Sequence, residues 1–189
     1  MIEIEKKFLL NDAERERLLS GATFMETVVN IDTYFDLEDH SLTCRDCWLR
    51  KRNSNWELKI PLHALGEKTA VTHYRELTEH DEILAVLEFN FAEYQPFCTI
   101  VTTRRRYKKN DFSIDLDSCD FGYDLVEIEL MVSEDDDRAA ATELILAFAQ
   151  KYGLRTDRVR GKILEYLRRF RPDHLRQLVE AGVAKQQDL

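Results

Sequence analysis

The sequence has a deficit of basic residues and lacks long apolar runs. Its 189 residues include 27 Lys and Arg against 36 Asp and Glu, a formal net charge of −9. Because no excess of positive charge is available to neutralise phosphates, we do not expect a general nucleic-acid binder.

No apolar run approaches the ~18 residues of a membrane-spanning helix, and the N-terminus lacks the basic-then-apolar pattern of a signal peptide. We therefore expect neither membrane insertion nor secretion, and predict a cytoplasmic protein.

Glycine and proline are also scarce, with six and three residues. No stretch rich in Pro, Gly or Ser and no internal repeat divides the chain, so we expect one domain over 1–189, with strands over about 2–132 and helices over about 133–182. The motifs GxxxxGK[ST], GxGxxG and GxSxG do not occur, so P-loop, Rossmann and nucleophile-elbow chemistries have no support. Nothing indicates an obligate oligomer, and a monomer is expected.

The chain has only four cysteines. Cys44 and Cys47 have the spacing of half a zinc site, but Cys98 and Cys119 form no second pair of that spacing. We interpret all four as reduced packing residues of a cytosolic protein.

Alternation of apolar and polar residues predicts eight strands, at 2–9, 27–36, 46–53, 55–60, 70–77, 97–107, 111–118 and 123–132. Helices are predicted at 11–20, 79–90, about 133–152, 158–170 and about 172–182. Asn53-Ser54-Asn55 and Lys109-Asn110-Asp111 are typical of hairpin turns. Short antiparallel connections favour closure into a barrel or a pair of curved sheets. The predicted fold is α+β, an eight-stranded antiparallel β-barrel with helices packed outside.

Charged side chains share one face on most of these strands. The sets are Glu3, Glu5 and Lys7; Trp48, Arg50 and Arg52; Glu57 and Lys59; Tyr74 and Glu76; Thr102, Arg104 and Arg106; Asp115 and Asp117; Glu127 and Glu129. One such strand usually has a solvated face, but seven together favour a polar barrel interior, with charges that are paired, hydrated or filled by ions. Clustered carboxylates are hard ligands for Mg²⁺ or Mn²⁺, and Arg and Lys hold phosphates. This combination suits phosphoryl transfer.

The pattern Glu3-x-Glu5-x-Lys7 resembles the ExExK motif of the CYTH proteins, the triphosphate tunnel metalloenzymes. Later elements of that family follow in order: Arg50 and Arg52, Lys59, Glu76, Arg104, Asp115 and Asp117, and Glu127 and Glu129. The segments DTYFD (32–36), WLRKR (48–52), WELKIP (56–61), IDLDSCDFGY (114–123) and YLRRFRP (166–172) are similar to the thiamine triphosphatases of this family. The resemblance implies an eight-stranded tunnel that binds a triphosphate, which is either thiamine triphosphate or inorganic tripolyphosphate. It also implies release of the terminal phosphate with the help of Mg²⁺, with Mn²⁺ as a second candidate.

The resemblance also implies roles for individual residues. The metal would be held by Glu3, Glu5, Asp115, Asp117, Glu127 and Glu129. The triphosphate would be held by Lys7, Trp48, Arg50, Arg52, Lys59, Arg104 and Lys162. The catalytic residues would be Glu76, Lys59 and Arg52, with Glu76 ordering the attacking water. No single general base is assigned.

Trp48 bears on the choice of substrate. It shares the face of Arg50 and Arg52, where it would either stack on the aromatic cation of thiamine or pack at a tunnel end. Three other interpretations stay open: a class IV-like adenylyl cyclase, a non-catalytic polyphosphate-binding module, and an ordinary solvated sheet. Production of cyclic AMP from ATP would identify the first, and tripolyphosphate binding without turnover would identify the second.

Overall fold

The computed structural model describes residues 2–62, 71–88, 90–133 and 138–189. The strands are β1 (Ile2–Phe8), β2 (Thr23–Asp36), β3 (Trp48–Arg52), β4 (Asn55–Pro61), β5 (Val71–Leu77), β6 (Gln95–Lys109), β7 (Phe112–Cys119) and β8 (Tyr123–Val132). The α-helices are α1 (Asp12–Leu19), α2 (His80–Val86), α3 (Arg138–Lys151), α4 (Lys162–Phe170) and α5 (Pro172–Glu180). Across these ranges, no helix has both the length and the apolar character that crossing a bilayer requires.

The strands form one closed β-barrel in the order β1-β5-β4-β3-β2-β6-β7-β8. The hairpin between β3 and β4 turns at Asn53 and Ser54, where φ is 46° and 86°. The hairpin between β6 and β7 turns at Asn110, where φ is 52°. Asparagine tolerates this left-handed region better than most residues, and both turns lie where the sequence predicts them. The prediction of an eight-stranded antiparallel barrel with helices packed on it is confirmed.

Two compact units can be distinguished along the chain. The first unit contains Met1–Val29, Thr69–His73 and Thr102–Lys162, and the second contains Asn30–Lys68, Tyr74–Val101 and Ile163–Leu189. The prediction of a single domain over 1–189 stays a prediction.

In the first unit, α3 packs against β1 and β8. These strands pair so that Ile4 lies opposite Leu130 and Lys7 opposite Glu127. Because side chains alternate between the faces of a strand, the apolar and charged residues separate onto opposite faces. Ile4 and, from α3, Ile145 are fully buried.

In the second unit, an apolar core lies on one face of β3 and β4. Leu49 and Leu58 of these strands pack with Ile83 and Leu87, and the cluster also includes Leu42 and Tyr94. The residues adjacent to these leucines along each strand, including Arg50 and Glu57, have their side chains on the opposite face. Burial of the leucines therefore fixes the direction in which the charged side chains point.

Several helix boundaries differ from the prediction. The helix expected at 79–90 is α2 (His80–Val86), because the backbone becomes extended at Leu87, whose side chain joins the apolar core; Phe89 lies outside the described residues. The helix expected from 158 begins at Lys162, after Gly161. Residues 134–137 and 70, at the predicted starts of α3 and β5, also lie outside the described residues.

Candidate active site and metal site

Six carboxylates of the first unit form an acidic cluster on the charged face of its strands. The acidic cluster consists of Glu3 and Glu5 from β1, Asp115 and Asp117 from β7, and Glu127 and Glu129 from β8. The strand register brings Glu5 opposite Glu129 and Asp115 opposite Glu127. Asp115 is fully buried and Asp117 nearly so. Since ionised carboxylates are costly to bury without partners, the cluster requires cations.

Arg104 of β6 lies at the centre of one half of the acidic cluster. Its Nε and Nη2 donate to both oxygens of Asp117, at 2.6 and 2.7 Å. Nη1 donates to Asp115 and Nη2 also donates to Glu127, each at 2.5 Å. Burial opposes the charge on Arg104, but the surrounding carboxylates outweigh it and raise the pKa of the guanidinium. Lys162 adds a further hydrogen bond to Asp117 Oδ2.

Glu3, Glu5 and Glu129 form the other half of the cluster. A carboxylate oxygen from each lies within 4.8 Å of the other two. Lys7 Nζ and Thr72 Oγ1 both donate to Glu5 Oε1, the threonine at 3.1 Å. Burial raises the pKa of Glu129 well above its ordinary value, and the Glu3 carboxylate raises it further. Three oxygens at this spacing fit a hard divalent cation, which would relieve the mutual repulsion.

The second unit carries an arginine cluster, formed by Arg50 and Arg52 of β3 with their acidic partners. Arg52 makes a two-point contact with Asp32, from Nε to Oδ1 at 2.7 Å and from Nη2 to Oδ2 at 2.9 Å. Arg50 donates from Nε to Glu57 at 2.6 Å and from Nη2 to Glu76 at 3.1 Å. Asp32 is fully buried. Fixed guanidinium forks of this kind suit the recognition of phosphate oxygens.

Trp48 lies on the face of β3 that carries the arginine cluster, and it is only 6% exposed. Its indole Nε1 donates to Asp46 Oδ1 at 2.9 Å. Tyr74 Oη donates to the same carboxylate, at 2.9 Å to Oδ2. The ring of Tyr34 meets the indole edge to face, with centroids 6.5 Å apart. These contacts hold the indole in one orientation.

Lys59 and Glu76 lie opposite each other on β4 and β5, and Lys59 also lies opposite Trp48 on β3. The structure therefore brings all of the predicted site residues into two groups. The acidic cluster, with Lys7, Arg104 and Lys162, belongs to the first unit. Trp48, Arg50, Arg52, Lys59 and Glu76 belong to the second unit. Their roles in binding and catalysis stay proposals.

Several contacting residues are absent from the predicted site, among them Glu57, which accepts a hydrogen bond from Arg50, and Asp46, which accepts one from Trp48. Asp32 holds Arg52, Thr72 contacts Glu5, and Arg106 Nε donates to Asp115 at 3.3 Å. The parity rule that selects Arg104 also places Arg106 on the charged face. It would likewise have selected Thr72, two residues before Tyr74. Predicting Asp32 as the partner of Arg52 would have required knowledge of the pairing between β2 and β3.

The four cysteines are free thiols. Burial raises the pKa of Cys47 and of Cys119 to about 11. Neither is therefore a thiolate at neutral pH. In the described part of the chain, the one group of three or more metal-ligating residues is Glu3, Glu5 and Glu129. The interpretation of the cysteines as packing residues stays a prediction.

Known proteins resemble this chain in sequence and in fold. The sequence profile of the CYTH domain matches residues 1–160. Thiamine-triphosphatase from Macaca fascicularis is 33% identical over 214 residues, covering 98% of this chain and 93% of that protein. Thiamine-triphosphatase from Homo sapiens is 32% identical with the same coverage. The solved structure of the PH1819 protein from Pyrococcus horikoshii OT3 has a TM-score of 0.66 at 24% identity, covering 89% of this chain and 99% of that chain, and supports the fold alone.

Proposed function

Because the chain belongs to the CYTH family, we propose that it is a divalent-metal-dependent triphosphatase acting on thiamine triphosphate or inorganic tripolyphosphate. One observation carries the proposal. Glu3, Glu5 and Glu129 converge in a cluster whose other carboxylates are held by Arg104 and Lys162. A site that binds anions alone has no use for six clustered carboxylates, five of them buried and Glu129 half-buried. A site that binds a cation together with a polyphosphate needs both charge types.

In this proposal, Glu3, Glu5 and Glu129 hold the cation, with Mg²⁺ as the first candidate and Mn²⁺ as the second. A bound divalent cation supplies positive charge to the phosphate oxygens and polarises them. Asp115, Asp117 and Glu127 complete the predicted metal-binding set. Asp115, Asp117 and Glu127 form ion pairs with Arg104 and Lys162. Their proposed role is therefore to position these two basic side chains, while Glu3, Glu5 and Glu129 bind the metal.

The basic residues hold the phosphate groups. In the first unit these are Lys7, Arg104 and Lys162, and in the second unit they are Arg50, Arg52 and Lys59. Both arginines of the arginine cluster are oriented by carboxylates, Arg52 by Asp32 and Arg50 by Glu57. Preoriented donors stabilise the charge that develops in phosphoryl transfer without reorganisation during the reaction.

The proposed catalytic residues are Arg52, Lys59 and Glu76. Arg52 and Lys59 stabilise negative charge on the transferring group, and Glu76 orients the attacking water through its carboxylate. Glu76 accepts a hydrogen bond from Arg50 Nη2 at 3.1 Å. That contact fixes one of its oxygens.

The test is phosphate release from thiamine triphosphate and from tripolyphosphate, side by side at equal concentration, with Mg²⁺ and with a chelator. We expect turnover with Mg²⁺ and its loss with chelator. Preference for thiamine triphosphate would assign Trp48 to substrate choice, and faster tripolyphosphate turnover would identify a general inorganic triphosphatase. Failure to release phosphate from either substrate, with Mg²⁺ or Mn²⁺, would refute the proposal.

A further inference from the structure

Lys6 is fully buried on the apolar face of β1. Ile4 and Phe8 share that face and are buried as well. Across the sheet, Lys6 lies opposite Ile128. Lysine is almost never fully buried unless its ammonium group has partners. The acceptors of that group therefore indicate what Lys6 does.

The ammonium group of Lys6 binds the main chain of the segment 154–161. Its Nζ donates to the carbonyl oxygen of Thr156 at 2.8 Å and to that of Asp157 at 3.3 Å. This segment follows α3 and has no helix or strand of its own. Its first residue, Leu154, donates its backbone N–H to the carbonyl oxygen of Ala149 at 3.0 Å. Further along, buried carbonyl groups need donors from side chains or water. Lys6 is a charged donor at the centre of this segment, and charged hydrogen bonds are the stronger kind.

Two further contacts hold the end of the same segment. Tyr123 Oη donates to the carbonyl oxygen of Arg160 at 2.7 Å. Gly161 lies so close to Lys7 that a Cβ atom there would be 3.2 Å from Lys7 Cε. The next residue is Lys162, which donates to Asp117 in the acidic cluster. The segment thus ends beside Lys7, one lysine of the proposed phosphate site, and leads directly into Lys162, another.

We propose that Lys6 is a positioning residue for phosphate binding: by holding the 154–161 segment, it places Lys162 on Asp117 and Gly161 against Lys7. The inference rests on the proposed triphosphatase function. Lys6 and Lys7 are neighbours whose side chains leave opposite faces of β1. One lysine therefore contacts the acidic cluster directly, and the other acts on it through the segment.

The test is a double-mutant cycle between Lys6 and Lys162, measured as the KM for tripolyphosphate at saturating Mg²⁺. Lys6→Met keeps the length of the side chain and removes the donor. We expect it to raise KM by about tenfold, the equivalent of ~1.4 kcal/mol, and Lys6→Arg to restore much of the loss. In a Lys162→Met background, Lys6→Met should change KM little further, because its effect passes through Lys162. An effect on stability alone would not follow this pattern.

A matched control is Lys108→Met, since Lys108 Nζ also donates to a main-chain carbonyl, that of Asp111, at 2.8 Å on an exposed strand position. We expect no change in KM for this variant. Should Lys6→Met fail to fold, Tyr123→Phe removes the hydrogen bond at Arg160 and should raise KM in the same Lys162-dependent way. If Lys6→Met changes KM equally in the wild-type and Lys162→Met backgrounds of an active protein, the positioning role is overturned but the proposed function is not. An inactive wild-type protein would overturn the proposed function, and this inference with it.

Discussion

Arg104 binds Asp117 through two parallel hydrogen bonds, from Nε to Oδ1 at 2.6 Å and from Nη2 to Oδ2 at 2.7 Å. Both side chains are buried, and Asp117 also accepts a hydrogen bond from Lys162. Two-point contacts between a guanidinium and a carboxylate have a fixed geometry as well as a favourable energy. We therefore expect this pair to contribute both to the stability of the first unit and to the proposed binding of phosphate.

Replacing Arg104 by Met should destabilise the protein strongly. The variant leaves Asp115, Asp117 and Glu127 buried without their main cation, and breaking a buried ion pair on one side costs about 3–5 kcal/mol. Urea unfolding followed by circular dichroism, in chelator, measures the change. Arg105→Met is the control, because Arg105 is exposed on the opposite face of β6. A loss below about 1 kcal/mol in Arg104→Met, the value typical of an exposed ion pair, would contradict the burial of this pair.

Replacing Glu129 by Gln should weaken metal binding. The substitution removes one of three converging carboxylates, the one whose pKa is raised first by burial and then by the Glu3 carboxylate. We expect the Mg²⁺ concentration for half-maximal phosphate release to rise by about tenfold or more, as expected for loss of one charged ligand. The stability of the metal-free protein should be unchanged or higher.

Glu26→Gln is the control for this experiment. Glu26 is an exposed carboxylate that pairs with Arg106 at 2.9 Å. Its substitution should leave the Mg²⁺ requirement as in the wild type. If Glu129→Gln also leaves that requirement unchanged, the metal is held elsewhere.

The sequence allowed the strands and the charged face to be predicted because both follow from a period of two. Leu49 and Leu58 alternate with Arg50 and Glu57, and burial of the leucines determines where the charges point. Alternation therefore predicts both the strands and which residues line the charged face.

Features that depend on contacts distant in sequence were not predicted. The partner of Arg52 is Asp32, twenty positions earlier, which the antiparallel register of β2 and β3 places beside it. The division of the acidic cluster is a second case. Alternation selects six equivalent carboxylates, but only the structure shows that Arg104 hydrogen-bonds to Asp115, Asp117 and Glu127. Glu3, Glu5 and Glu129 are the three that converge as a metal-ligating group, with Glu129 at 3.9 Å from Arg104 Nη1.

Substitution of Trp48 should change the choice of substrate more than the rate of tripolyphosphate turnover. Trp48→Phe keeps an aromatic ring but removes the indole donor to Asp46. If the indole contacts thiamine, the ratio of kcat/KM for thiamine triphosphate to that for tripolyphosphate should fall by about fivefold to tenfold, the range expected from loss of a stacking or cation–π contact. Parallel kinetics with both substrates measure the ratio. An unchanged ratio would assign Trp48 to packing.

His174 should make the stability of the protein sensitive to acid. Its ring stacks on that of His40, with centroids 3.6 Å apart and planes 7° apart. Nε2 forms a hydrogen bond with Thr43 Oγ1 at 2.9 Å, and Nδ1 is buried with no partner in the described part of the chain. Burial, followed by His40 and Arg171, lowers the pKa of His174 from 6.5 to about 3. The folded state therefore holds this ring neutral.

Between pH 6.5 and 3, the unfolded chain binds a proton at His174 that the folded chain does not bind. The free energy of unfolding should consequently fall as pH falls, by at most about 1.4 kcal/mol per pH unit from this group. Urea unfolding at several pH values from 7.5 to 4.5 measures the slope. His174→Gln can still bond to Thr43 but cannot titrate, so its slope should be shallower than that of the wild type. His80→Gln, at an exposed position, should retain the wild-type slope. Parallel curves for the wild type and His174→Gln would show that the ring is protonated without loss of the fold.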